Sequence, residues 1–142
     1  MNISLNSLQS DTRSGDITLL SNSNLTGKEN YLLKIVNNNG APNFDLPSAI
    51  TDQAFYVCMS GGVQALDTTG QAPGLGENCR VFIDAACNPG DALALSKTNW
   101  GLLTKPATGY GSGYYTFLAE EAGVAGQSIK VRRIPDRATG AL

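Results

Sequence analysis

The chain has 142 residues, a formal net charge of −2 and no histidine. That balance gives no global attraction to nucleic acid. The missing imidazole removes Ser-His and Cys-His catalysis and the commonest metal ligand. A chain this long buries roughly 70% of the surface that its unfolded form exposes, so it needs no metal or disulfide staple. Charged residues are only 15% and glycines number 16, against about 25% charged in an average domain. Such a composition suits β proteins that pack against copies of themselves, and equally an ordinary secreted β domain.

Residues 1–27 hold no aromatic residue, but six Ser and four Asn. Apolar residues are scattered through them singly or in one pair, Ile3, Leu5, Leu8, Ile17, Leu19 and Leu20 among them. Such a segment buries too little apolar surface to offset its own ordering. With only Asp11, Arg13 and Asp16 charged, it is not a solvating tail either. It reads as an extended N-terminal arm that orders on another surface. Those six apolar residues are then its candidate anchors. Fully extended, the arm spans roughly 90 Å at about 3.3–3.6 Å per residue. Its backbone is able to add a strand to a neighbour's sheet edge. Deleting residues 1–20 is expected to leave the β domain folded and to weaken partner binding.

From Lys28 onward, short apolar runs alternate with turn clusters. Tyr31 to Val36 predicts a strand ending at Asn37-Asn38-Asn39-Gly40, a turn signal. Ala41 to Ile50 contains Pro42 and Pro47 and predicts loop or irregular edge. Ala54 to Met59 predicts a buried strand closed by Ser60-Gly61-Gly62. Val63 to Leu66 is its hairpin partner, and Asp67 to Gly76 is loop. Cys79 to Asp84, Ala92 to Leu95, Trp100 to Leu103, Tyr114 to Leu118 and Ser128 to Ile134 complete the strands. Asn88-Pro89-Gly90-Asp91 presets a turn. Residues 135–142 read as a tail. No run keeps a 3.6-residue period over eleven positions, so long helices are not expected. Seven or eight short strands predict an all-β small barrel or sandwich over residues 28–134.

Chemical motifs are sparse. In Tyr110-Gly111-Ser112-Gly113-Tyr114 the glycines flank the serine directly, so the chain lacks a nucleophile elbow, and no base is present. Glu120 and Glu121 are adjacent and point to opposite faces of a strand. Asp84 and Asp91 are able to approach across a turn, but turn capping is the usual role of such Asp residues. Cys58, Cys79 and Cys87 lack metal-ligand spacing and read as free buried thiols. Arg132 and Arg133, in a basic C-terminal strand, are candidate partner contacts. Trp100, Tyr110, Tyr114 and Tyr115 are candidate core or oligomer-interface aromatics, or a platform for sugars or bases. Met1 is not followed by a basic region and an apolar run, which predicts cytoplasmic synthesis without a signal peptide. No run approaches the ~18 apolar residues of a membrane helix. No enzyme, cofactor, metal, membrane or direct nucleic-acid role is expected.

Residues 24–134 resemble the capsid decoration, or cement, proteins of tailed bacteriophages. The resemblance rests on Asn24-Leu25-Thr26-Gly27-Lys28-Glu29-Asn30-Tyr31-Leu32 before the first strand and on the turn Gly90-Asp91-Ala92-Leu93. It continues through Trp100-Gly101-Leu102-Leu103, Tyr114 to Leu118, and Ala119-Glu120-Glu121-Ala122-Gly123 with Ala125-Gly126 and Ile129-Lys130-Val131. The longer arm and the Pro-containing 41–50 segment depart from that pattern. The resemblance implies a virion protein on the capsid exterior, binding the major capsid protein lattice as a homo-oligomer, a trimer first. Two alternatives stay open: a carbohydrate- or single-stranded nucleic-acid-binding β module, and another phage head or tail component.

Overall fold

The computed structural model describes residues 16–140. All regular elements among them are strands, in keeping with the all-β expectation. The first five are β1 (Asp16–Ser21), β2 (Leu32–Asn38), β3 (Ala41–Asp45), β4 (Tyr56–Ser60) and β5 (Asp67–Gln71). They close a barrel in the order β1-β3-β2-β4-β5, with β5 returning to β1. Only the β1–β3 contact is parallel.

The second five are β6 (Asn78–Phe82), β7 (Ala92–Leu95), β8 (Leu103–Thr104), β9 (Tyr114–Ala119) and β10 (Ser128–Ala138). They form a sheet in the order β6-β10-β9-β7-β8. A parallel bridge between Ile83, just past β6, and Leu103 of β8 ties its two edges.

Residues 16–27 correct the expected arm. β1 pairs antiparallel with β5 from Asp16↔Gln71 to Leu20↔Asp67, and parallel with β3 at Leu20↔Asn43 and Ser21↔Phe44. Leu25 is fully buried. A six-residue strand paired along β5 and joined to β3 at its C-terminal end needs few inward apolar side chains, and Ile17 and Leu19 suffice. The anchors Ile3, Leu5 and Leu8 lie outside the described residues.

The segment 41–45 is a strand rather than a loop. β1 reaches only Asn43 and Phe44 of β3, so Pro42 has no second neighbour there to miss its N–H. Residues 63–66 form a turn, with the Leu66 N–H donating to the Val63 carbonyl at 3.0 Å, and the strand starts at Asp67. β5 holds inward Thr68 and Gly70, which carry no hydrophobic signal. A Cβ on Gly70 would lie 2.9 Å from Phe44 Cζ, so the small residue makes room for the ring. Strand β8 is confined to Leu103–Thr104, shorter than the 100–103 expectation, because residues 96–102 are occupied by a turn built on Ser96. The expected tail also differs, since β10 runs to Ala138. After a bulge it pairs Arg137 with Tyr115 and Ala138 with Tyr114. Thr139 is buried, and its hydroxyl accepts the Gly113 N–H at 2.8 Å.

The core has two parts. Inside the barrel, Leu25, Leu33, Phe44 and Cys58 pack with Ile17, Leu19, Leu46 and Tyr56. A larger cluster joins Leu32, Ala54 and Val57 to the second sheet's Val81, Ile83, Leu93, Leu103, Phe117, Ile129 and Val131. Adjacent Leu32 and Leu33 thus serve opposite faces of β2, as alternation along a strand requires.

The three cysteines are unpaired thiols. Burial pushes Cys58 up to about 11 and Cys79 up to about 12. The thiolate is the reactive form, so Ellman's reagent at pH 8 is expected to label these two only on unfolding. Stoichiometric labelling of both in the folded chain would contradict their placement. The folded pKa values lie above the ordinary thiol value of 9.0. Their contribution to stability is therefore complete below pH 9 and declines as pH rises through about 11–12.

Candidate interaction surfaces

The expected contact residues do not converge on one site. On β1, Ile17 and Leu19 face the barrel core, whereas Leu20 stands on the outer wall and is 46% exposed. Arg132 is held within the chain. Its guanidinium donates to both Glu120 carboxylate oxygens, at 2.6 and 3.2 Å, and to the Gly76 carbonyl at 2.5 Å. The hydrogen bonds and charge of Glu120 raise the Arg132 pKa further. Arg133 lies over the Phe55 ring at 4.6 Å and the Phe117 ring at 5.9 Å, with Asp136 at 3.5 Å. Both arginines join the second sheet to its surroundings rather than standing free.

The four aromatics are dispersed as well. Tyr110 is buried, and burial together with the Asp84 charge pushes its phenol up to about 12. Tyr114 and Tyr115 alternate on β9. The first is exposed, and the second lies under Arg137 at 4.9 Å. Trp100 lines a groove with Lys28, Tyr31, Leu46 and Leu102. Among the described residues the close ring pairs are Tyr31–Phe82, Phe44–Tyr56 and Phe55–Tyr56. None involves these four, so they build no shared stacking platform.

The acidic residues have structural duties. Asp84 accepts the Ser96 hydroxyl. Asp91 accepts the Asn88 N–H at 2.8 Å and pairs with Lys105 at 3.3 Å, and both partners lower its carboxyl pKa. Glu120 and Glu121 lie just past β9 rather than on a strand, and each takes its own arginine, Glu120 Arg132 and Glu121 Arg80 at 2.9 Å. Among the described residues no three His, Cys, Asp or Glu side chains gather to hold a metal.

What remains is apolar and amide-rich surface, most of it on the barrel. Leu20, Ile35, Met59, Val63 and Leu66 are all exposed there. Beside Leu20 a groove of about 270 Å³ is lined by Asn22, Asn38, Asn43 and Gln64. Asn43 is only 3% exposed, yet its side-chain oxygen finds no partner among the described residues. Sequence reasoning singled out Leu20 but passed over Asn43. A lone Asn beside a proline reads as turn until its strand is known.

No family model matches the chain, and no curated protein matches it. Among solved structures, its fold is similar to the crystal structure of the head fiber gp8.5 N base in bacteriophage phi29. The TM-score is 0.65 at 17% sequence identity, and the match covers 84% of this chain and 92% of that one. At that identity the likeness is one of fold alone.

Proposed function

We propose that this chain is a structural component of a phage virion, seated on the outside of the head. There it contacts the major capsid protein lattice and ties neighbouring subunits together. The observation that carries the reading is the fold likeness to a phage head fiber base over nearly the whole of both chains. The cement-protein resemblance of residues 24–134 supports the finer assignment to the capsid exterior. The engagement of the acidic residues in caps and ion pairs fits a role without enzymatic chemistry. The reading includes a homo-oligomer, with a trimer favoured, and no nucleic-acid or membrane contact. Capsid-contact residues narrow to Ile3, Leu5 and Leu8, ahead of β1. A protein that binds only the assembled shell stabilises it by mass action. Many copies across subunit seams add up even when each contact is modest.

The test is co-sedimentation of the purified chain with expanded and unexpanded heads that lack it. Saturable binding to the expanded shell alone is expected, and its stoichiometry gives the copy number. Failure to bind either form would overturn the reading.

A further inference from the structure

The two halves of the chain share one hydrogen-bonding plan. In the barrel the order β1-β3-β2-β4-β5 closes on itself through a parallel β1–β3 contact. In the second half, β6-β8-β7-β9-β10 closes in the same way through the parallel Ile83↔Leu103 bridge.

The equivalence extends to single bonds outside the strands. Ser21 N–H donates to Leu66 O, and Ala65 N–H to Ser21 O; Ile83 N–H donates to Gln127 O, and Gly126 N–H to Ile83 O. Leu25 N–H reaches Gly62 O as Cys87 N–H reaches Gly123 O. Cys58 N–H reaches Tyr31 O as Ala119 N–H reaches Asp91 O. Ala65 and Gly126 have φ of 70° and 90°, and Asn30 and Gly90 have 67° and 91°. The chain is therefore two copies of one five-stranded unit, aligned by position although few side chains match.

The two units dock head to tail. The second presents Phe82, at the end of β6, and Leu102, just before β8, to the Asn30–Leu32 stretch of the first. Phe82 N–H donates to Asn30 O at 3.2 Å, and Leu32 N–H to Gly101 O at 2.8 Å. The Phe82 and Tyr31 rings lie 5.7 Å apart. Leu102 and Leu46 line the same groove. The pairing registers give each docking residue its counterpart. Leu20 and Asn43 stand in the first unit where Phe82 and Leu102 stand in the second. Asp91 and Lys105 stand in the second where Tyr31 and Leu46 stand in the first.

On the Leu20–Asn43 face, the counterpart of the face by which the second unit docks, Leu20 and the groove beside it are open. Leu20 is 46% exposed, and the buried Asn43 oxygen at the groove lacks a donor. Every copy of the chain also carries the matching surface. There Lys105 is 51% exposed, with ammonium protons to spare beyond its 3.3 Å contact with Asp91.

We propose that copies of this chain associate head to tail. The Leu20–Asn43 face of one copy receives the Asp91–Lys105 face of the next, repeating between molecules the docking made within each. The Leu46–Leu102 position of the internal docking becomes Lys105–Asn43, and Tyr31–Phe82 becomes Asp91–Leu20. The intermolecular version is more polar, so the association is weaker than the internal docking and concentration-dependent. A contact of this heterologous kind closes a ring or propagates. The proposal is independent of where on a particle the protein sits.

The test is sedimentation equilibrium of the purified full chain and of Leu20→Ser and Lys105→Glu variants, with folding checked by thermal melts. The wild type is expected to associate and each variant alone to do so at least tenfold more weakly. An equimolar mixture of the two variants should yield 1:1 dimers and nothing larger, because it restores one intact pair of faces. A wild type that stays monomeric, variants that associate undiminished, or a mixture that stays monomeric would each overturn the proposal. If Leu20→Ser lowers the melting transition, Leu20→Thr takes its place in the same series.

Discussion

Replacing Phe44 with alanine is expected to destabilise the folded chain by about 3–5 kcal/mol, the range for truncating a buried phenylalanine. Phe44 is fully buried at the centre of the barrel, with the Tyr56 ring edge-on at 5.3 Å. Inward Gly70 opposite it carries no side chain that could move into the space. The cavity therefore stays largely open, which places the cost at the upper end of what the lost surface alone predicts. Total stabilities of ordinary domains are about 5–15 kcal/mol, so much of the stability is at stake. Urea denaturation followed by Trp100 fluorescence checks this. The midpoint should fall with an unchanged slope, whereas exposed Met59→Ala should stay within about 0.5 kcal/mol of the parent. A Phe44→Ala loss below about 1 kcal/mol would contradict the packing described for the barrel.

The second large effect separates the arm from the fold. Removing residues 1–15 is expected to leave the cooperative melt in place and to reduce binding to phage heads. Removing residues 1–21 is expected to abolish the cooperative melt. The longer deletion takes β1, its pairing with β5 and β3, and the inward side chains of Ile17 and Leu19. It also takes the Ser21 hydroxyl, bonded to Thr68 at 2.5 Å and to the Leu66 carbonyl at 2.7 Å. The edges of β3 and β5 would be left open to pairing with other chains, a known route to aggregation. Circular dichroism melts of the two truncations check the fold, and head co-sedimentation of the shorter one checks the arm. A normal melt after the longer deletion would show that β1 does not close the barrel. Full binding after the shorter one would remove residues 1–15 from the capsid contact.

Read by itself, the sequence determined the class of the fold and several strands. Tyr114 to Leu118 and Ala92 to Leu95 carry enough aromatic, β-branched or apolar side chains to declare themselves, and the turns at Asn39-Gly40 and Gly90 follow from local backbone preference. It also excluded histidine-based catalysis, because a missing residue type needs no structure to be noticed. The tertiary structure decided what depends on partners distant along the chain. β1 and β5 are strands because barrel closure satisfies their backbone groups on both edges, although Thr68, Gly70 and the Ser/Asn-rich 16–27 stretch bury little apolar surface. Arg132 is engaged because folding brings Glu120 beside it, and the alternative of an aromatic platform falls away because Trp100, Tyr110 and Tyr114 lie on different elements. The duplication of the five-stranded unit was invisible in the residues for the same reason. Hydrogen-bond registers and positive-φ positions are kept by backbone geometry, which tolerates Leu20 in place of Phe82 and Asp91 in place of Tyr31. Side chains at matching positions were free to diverge wherever one unit is covered and the other is open.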